Sequence, residues 1–178
     1  MHGYYIFDMD GMLCDSMYYW RNVFSVCGGD MSKALEYMRE KYSAEIQLKS
    51  GAAEFIARAQ SRGVITCIAS ATDQDIAQPF LDRTGLMRGM KFYADCTSLG
   101  MGKRNPQFYE RVAQMLGADI SECVVFEDAY YCAESAKKAG FFTVGVLDHV
   151  TSKEGDIAPY CDLVVNNIGE FIEEAVAT

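Results

Sequence analysis

Short, mostly apolar runs recur along the chain at Tyr4 to Phe7, Val64 to Ala69, Phe92 to Ala94, Cys123 to Phe126, Phe142 to Val146 and Leu163 to Val165. Runs of this length without polar alternation predict strands buried on both faces. Between them the pattern becomes helical. Ala52 to Ser61 closes at Gly63, and Pro106 to Leu116 carries Phe108, Val112 and Met115 on one face before Gly117. Ala129 to Ala139 ends in Lys137, Lys138 and Gly140, a basic last turn followed by a glycine cap. Strand–helix alternation of this kind predicts an α/β fold, a three-layer Rossmann-like parallel sheet with right-handed crossovers. Ligands of such sheets bind at the carboxyl ends of the strands.

The alternation fails between Asp15 and Ser50, which hold two helical stretches, Met17 to Val26 and Ser32 to Tyr42, around Gly28-Gly29. This piece is too short to fold alone and must lean on the main body. The expected organisation is a core made of residues 1–14 and 51–178, with residues 15–50 as a small inserted helical cap over the strand ends.

Composition narrows the function. The 178 residues are 50% hydrophobic and 23% charged, with a net charge of −9. Such a surface repels nucleic-acid backbones and anionic lipid, so neither is an expected partner. No apolar stretch is long enough to span a membrane, and the N-terminus lacks the pattern of a secretory signal. Seven cysteines form no CxxC pair and the only histidines are His2 and His149, which argues against a zinc cluster. The expected location is a reducing cytoplasm.

Four polar clusters each directly follow an apolar run. Asp8 and Asp10 alternate along extended chain, so both carboxylates face one space, and Gly11 permits the sharp exit. Paired carboxylates suit Mg²⁺, or a nucleophile with an acid/base partner; an isolated pair is more often a solvated turn. Ser70-Ala71-Thr72 forms a strand-to-helix turn where a hydroxyl and free backbone amides suit a phosphate oxygen, or where Ser70 merely caps a helix. Lys103 lies just outside a helix whose start is marked by Asn105 and Pro106, with Arg104 expected to point away. Glu127 and Asp128 open the last helix, where acids are also favoured by the helix dipole. Taken together, the four clusters converge on one edge of one sheet.

These residues resemble the haloacid dehalogenase superfamily, in its subfamily with a helical cap. Asp8-Met9-Asp10-Gly11-Met12-Leu13 is similar to the family's first motif and Ser70 to its second. Lys103 with Pro106 is similar to the third, and Phe126-Glu127-Asp128-Ala129 to the fourth. The resemblance implies that Asp8 attacks phosphorus while Asp10 serves as general acid and then base. It implies Mg²⁺ held by Asp8, the Asp10 carbonyl and Asp128, with Glu127 in support, and phosphoryl oxygens gripped by Ser70 and Lys103.

Within the family, Asp10 argues against the dehalogenating and phosphonate-cleaving branches. Mutases related to β-phosphoglucomutase carry a histidine shortly after the Asp15 position, where this chain has Tyr18, Tyr19 and Trp20. The short cap also suits hydrolysis better than the water-excluding lid a mutase needs. The expectation is a phosphatase of a small phosphorylated metabolite. A phosphosugar mutase and a non-catalytic binding protein are the alternatives. Arg21 is a candidate contact for a second anionic group, and Tyr18, Tyr19 and Trp20 either line the pocket or pack the cap. The whole reading requires the carboxyls at 8 and 128 to lie within about 8 Å, close enough to share one cation.

Overall fold

The computed structural model describes residues 2–171. Residue 1 and residues 172–178, which the sequence reading assigns to the core, lie outside the described residues. Six strands, β1 (Tyr4–Phe7), β2 (Ile65–Ser70), β3 (Met90–Asp95), β4 (Cys123–Glu127), β5 (Phe142–Val146) and β6 (Leu163–Val165), form one sheet in the order β3-β2-β1-β4-β5-β6. Every pairing is parallel. The helices are α1 (Met17–Val26), α2 (Met31–Ala44), α3 (Ala52–Ser61), α4 (Gln74–Thr84), α5 (Cys96–Leu99), α6 (Gln107–Leu116) and α7 (Tyr130–Lys138). This is the expected α/β Rossmann-like arrangement. Among the described residues no helix is long and apolar enough to cross a membrane.

Side chains alternate across β1 and so divide the core in two. Tyr5 and Phe7 face α3 and α4, whereas Ile6 faces α6 and the end of α7. The first face is an aromatic cluster. Phe55 of α3 stacks parallel to Tyr5 at 6.0 Å and meets Phe171 edge-on at 5.5 Å. Phe126 closes the group against Phe7 at 5.0 Å and Phe171 at 5.1 Å.

The chain builds β1 to β3 outward on one side, then returns to lay β4 to β6 on the other. The resulting crevice between β1 and β4 is where such sheets bind ligands. Register places the functional positions level with one another. Phe7 pairs with both Ile68 and Phe126, so Asp8, Ala69 and Glu127 each stand one residue further along.

The strand-to-helix turn at Ser70 implies a helix without giving its bounds, and α4 is that helix. It carries Pro79, which deprives the Asp75 carbonyl of its helical donor, and Asp75 is exposed, where water can take that place. The buried stripe Ile76, Ala77, Phe80 and Leu81 holds the helix on the sheet regardless.

Between β1 and α3, helices α1 and α2 form a hairpin. Its entry and exit run side by side: Cys14 bridges to Leu48, Lys49 N donates to the Leu13 carbonyl at 2.9 Å, and Asp15 N to that of Gln47 at 3.0 Å. Helix α2 rests on α4. Tyr42 meets Phe80 with ring centroids 6.1 Å apart, and Arg39 pairs with Asp75 at 2.9 Å. The Arg83 guanidinium donates to the carbonyls of Tyr42 and Ile46 at the end of α2, a favourable place for a cation.

Because Phe55 is fully buried and touches four rings, Phe55→Ala is expected to cost about 3–5 kcal/mol. Urea unfolding checks this as a lowered midpoint with an unchanged slope.

Candidate active site

The first strand delivers Asp8 directly beyond Phe7, and its N–H extends the ladder to the Phe126 carbonyl at 2.9 Å. Glu127 ends β4 and Asp128 follows it, so three carboxylates crowd the crevice. One oxygen from each of Asp8, Glu127 and Asp128 lies within 4.8 Å of the others. That proximity meets the requirement set by the sequence, and all three side chains are buried.

Lys103, buried with them, answers part of this charge. Its ammonium reaches Asp8 Oδ1 at 2.5 Å, Glu127 Oε1 at 2.5 Å and the Ala69 carbonyl at 2.9 Å. Tyr109 of α6 donates to the same Glu127 oxygen at 2.6 Å. Burial alone would lower the Lys103 pKa, but Asp8 and Glu127 hold it well above its ordinary value. Burial pushes Asp8 up to about 8 against the pull of Lys103, with Glu127 and Asp10 adding to the rise. Asp128 is raised by burial and by the charges of Asp8 and Glu127.

Two of the remaining oxygens have no partner. Asp128 Oδ2 and Glu127 Oε2 are buried without a hydrogen bond, a costly condition that a bound cation would relieve. The donor set is entirely oxygen, which fits a hard divalent ion. Gly11 keeps the space open: it adopts φ +84°, and a Cβ there would fall 2.1 Å from Asp128 Oδ2.

Asp10 is held in a ring of hydroxyls. Oδ1 accepts from Ser16 at 2.5 Å and from Tyr42 of α2. Oδ2 accepts from Thr72 at 2.7 Å. Trp20 Nε1 in turn donates to the Tyr42 hydroxyl at 3.0 Å. A helical-hairpin residue thus orients the second carboxylate of the first motif.

A cavity of about 650 Å³ opens over these groups. Asp8, Asp10, Lys103, Glu127 and Asp128 lie along its polar wall, while Met17, Trp20 and Leu35 of the hairpin supply an apolar one. The other candidates fall in different places. Ser70 has no exposed surface and its hydroxyl lies 3.5 Å from Asp10 Oδ2 while accepting from Thr72 N; Thr72, not Ser70, lines the cavity. Arg21 is not brought to the cavity, because Glu154 in the loop beyond β5 binds its guanidinium at 2.5 Å. Tyr18 is exposed and Tyr19 donates to Glu45 at 3.2 Å, so of the three aromatics Trp20 alone lines the cavity. Arg104 does not point away; it lies against Tyr131 on the cavity wall. Tyr42 and Tyr109 escaped the sequence reading because an aromatic at helical spacing carries the same signal as core packing.

Comparison with known proteins agrees with this arrangement. A family model described as haloacid dehalogenase-like hydrolase matches residues 30–140. The chain belongs to that family of hydrolases. The matched span includes Lys103, Glu127 and Asp128, whereas Asp8 and Asp10 precede it. Validoxylamine A 7'-phosphate phosphatase from Streptomyces hygroscopicus subsp. limoneus is 25% identical over 120 residues, covering 67% of this chain and 55% of that protein. The chain spans about half the length of the curated relatives it matches. Among solved structures, CbbY from Rhodobacter sphaeroides superimposes with a TM-score of 0.83 at 18% identity, covering 96% of each chain. L-2-haloacid dehalogenase from Xanthobacter autotrophicus does so with a TM-score of 0.71 at 18% identity, again over 96% of each. These two share the fold.

The pKa shifts make a pH-dependent test of the cation fit. An acid raised in the folded state binds more protons there than when unfolded, so its contribution to stability is lost as pH rises. Between its ordinary 3.8 and about 8, Asp8 makes the metal-free protein less stable with increasing pH. Thermal unfolding should therefore show Tm falling from about pH 5 to about pH 8. Added divalent cation should raise Tm, and more at the upper end, where it no longer competes with protons.

Proposed function

We propose that the chain is a Mg²⁺-dependent phosphatase acting on a small phosphorylated metabolite. The observation that carries the reading is the pairing of Asp8 with Lys103 at 2.5 Å beside the unpartnered Asp128 oxygen, all buried at the floor of one cavity. An attacking carboxylate, a cation for the phosphoryl oxygens and an open place for a metal are then side by side. The phosphatase name of a sequence relative supports the same choice.

Asp8 attacks phosphorus, forming an acyl phosphate as the ester oxygen departs with a proton from Asp10. Asp10 then takes a proton from water, whose oxygen attacks phosphorus and returns the Asp8 carboxylate with release of orthophosphate. Asp8, Asp128 and the Asp10 main-chain carbonyl would hold Mg²⁺, with Glu127 behind them. The ion supplies positive charge to the phosphoryl oxygens. Lys103 adds its own positive charge to those oxygens and keeps the crowded carboxylates from repelling the ester. The Ser16, Tyr42 and Thr72 hydroxyls fix the direction in which Asp10 offers its proton. Residues 15–50 act as a cap, lending Met17, Trp20 and Leu35 to exclude water from the side facing the ester.

Purified protein with Mg²⁺ should release orthophosphate from p-nitrophenyl phosphate, and EDTA should stop it. Asp8→Asn is expected to lower turnover at least about a thousand-fold. Asp10→Asn should lower it about a hundred-fold or more. Since p-nitrophenolate leaves without a proton, that variant should also accumulate phosphoryl-enzyme, visible as one added phosphoryl group in the intact mass. Full activity of Asp8→Asn would overturn the proposal.

A further inference from the structure

Among the described residues two cations line the cavity, Lys103 and Arg104, and they are placed differently. Lys103 is buried and committed to Asp8, Glu127 and a main-chain carbonyl. Arg104 is exposed, and its guanidinium carbon stands 4.0 Å from the centre of the Tyr131 ring. No carboxylate or carbonyl of the described residues bonds it. Stacking occupies the face of a guanidinium and leaves the N–H groups along its edge free. Tyr131 lies in the first turn of α7, three residues beyond Asp128, so the stack fixes a cation close to the carboxylate cluster.

A phosphate ester with no other charge leaves this cation unmatched. The phosphoryl group is served by Lys103 and the metal position, and the hairpin wall of Met17, Trp20 and Leu35 offers apolar contact only. We infer that Arg104 is a specificity-determining residue that binds a second anionic group of the substrate. The substrate class is then a phosphate ester bearing a carboxylate or a further phosphate. A planar fork of donors suits either group bidentately. The inference deepens the phosphatase reading of the same cavity and rests on it for the position of the first phosphate.

Calorimetric titration tests it without turnover. Asp8→Asn protein with Mg²⁺ is titrated with propyl phosphate, 3-(phosphonooxy)propanoate and propane-1,3-diyl bisphosphate, and the same titrations are made with Arg104→Gln added. At least one doubly anionic probe should bind about ten-fold tighter than propyl phosphate, as a charge-assisted hydrogen-bond pair warrants. Arg104→Gln should erase that preference, and Arg104→Lys should retain part of it. Whether the carboxylate or the bisphosphate probe is preferred identifies the second group. A preference that survives Arg104→Gln, or no preference in the parent, overturns the inference. Orthophosphate release by the wild-type chain is measured separately. Release without a preference removes the role of Arg104 alone, while a preference without release removes the phosphatase reading and leaves the anion site standing.

Discussion

The Lys103 ammonium is the interaction on which the site depends. Three carboxylates withdrawn from water within a few ångströms of one another carry a large desolvation cost. One buried cation touches two of them and a main-chain carbonyl. With all three ionised it leaves two net negative charges and two unpartnered oxygens, on Glu127 and Asp128. The cluster is therefore electrostatically incomplete by design of its sequence: neutral enough to fold, and still in need of positive charge from outside. The raised pKa values of Asp8 and Asp128 express the same shortfall.

The rest of the fold serves to hold that cluster in register. Parallel pairing brings Phe7 level with Ile68 and Phe126, so side chains more than a hundred positions apart in the chain meet without any loop having to reach. Tyr109 ties α6 to Glu127, and Gly11 supplies a turn with no side chain to obstruct Asp128. The aromatic group beneath, from Tyr5 to Phe171, makes the floor on which these positions are fixed.

Much of this was legible because the relevant signals are local. The runs Tyr4 to Phe7, Phe142 to Val146 and Leu163 to Val165 become strands with the same bounds. Asp8, Glu127 and Asp128 sit at or just beyond such runs, and topology alone carries them to one edge. What escaped reading depends on contacts distant in sequence. Tyr42 finds Asp10 32 positions away, and Arg21 finds Glu154 133 positions away. A cation beside aromatics looks the same whether it awaits a ligand or braces two elements. The bounds of α4 are not legible locally, because Pro79 disfavours a helix and the burial that overrides it belongs to the tertiary structure.

The paired crossings at Cys14 and Leu48 set how the helical hairpin can move. Two tethers cross-linked by main-chain hydrogen bonds resist swivelling about either one and share a single axis of tilt. Any tilt that lifts α2 off α4 must part Arg39 from Asp75 and Arg83 from the last carbonyls of the helix. It must also withdraw the Tyr42 hydroxyl from Asp10. Lifting α2 from α4 and freeing the Asp10 carboxylate are thus one mechanical event.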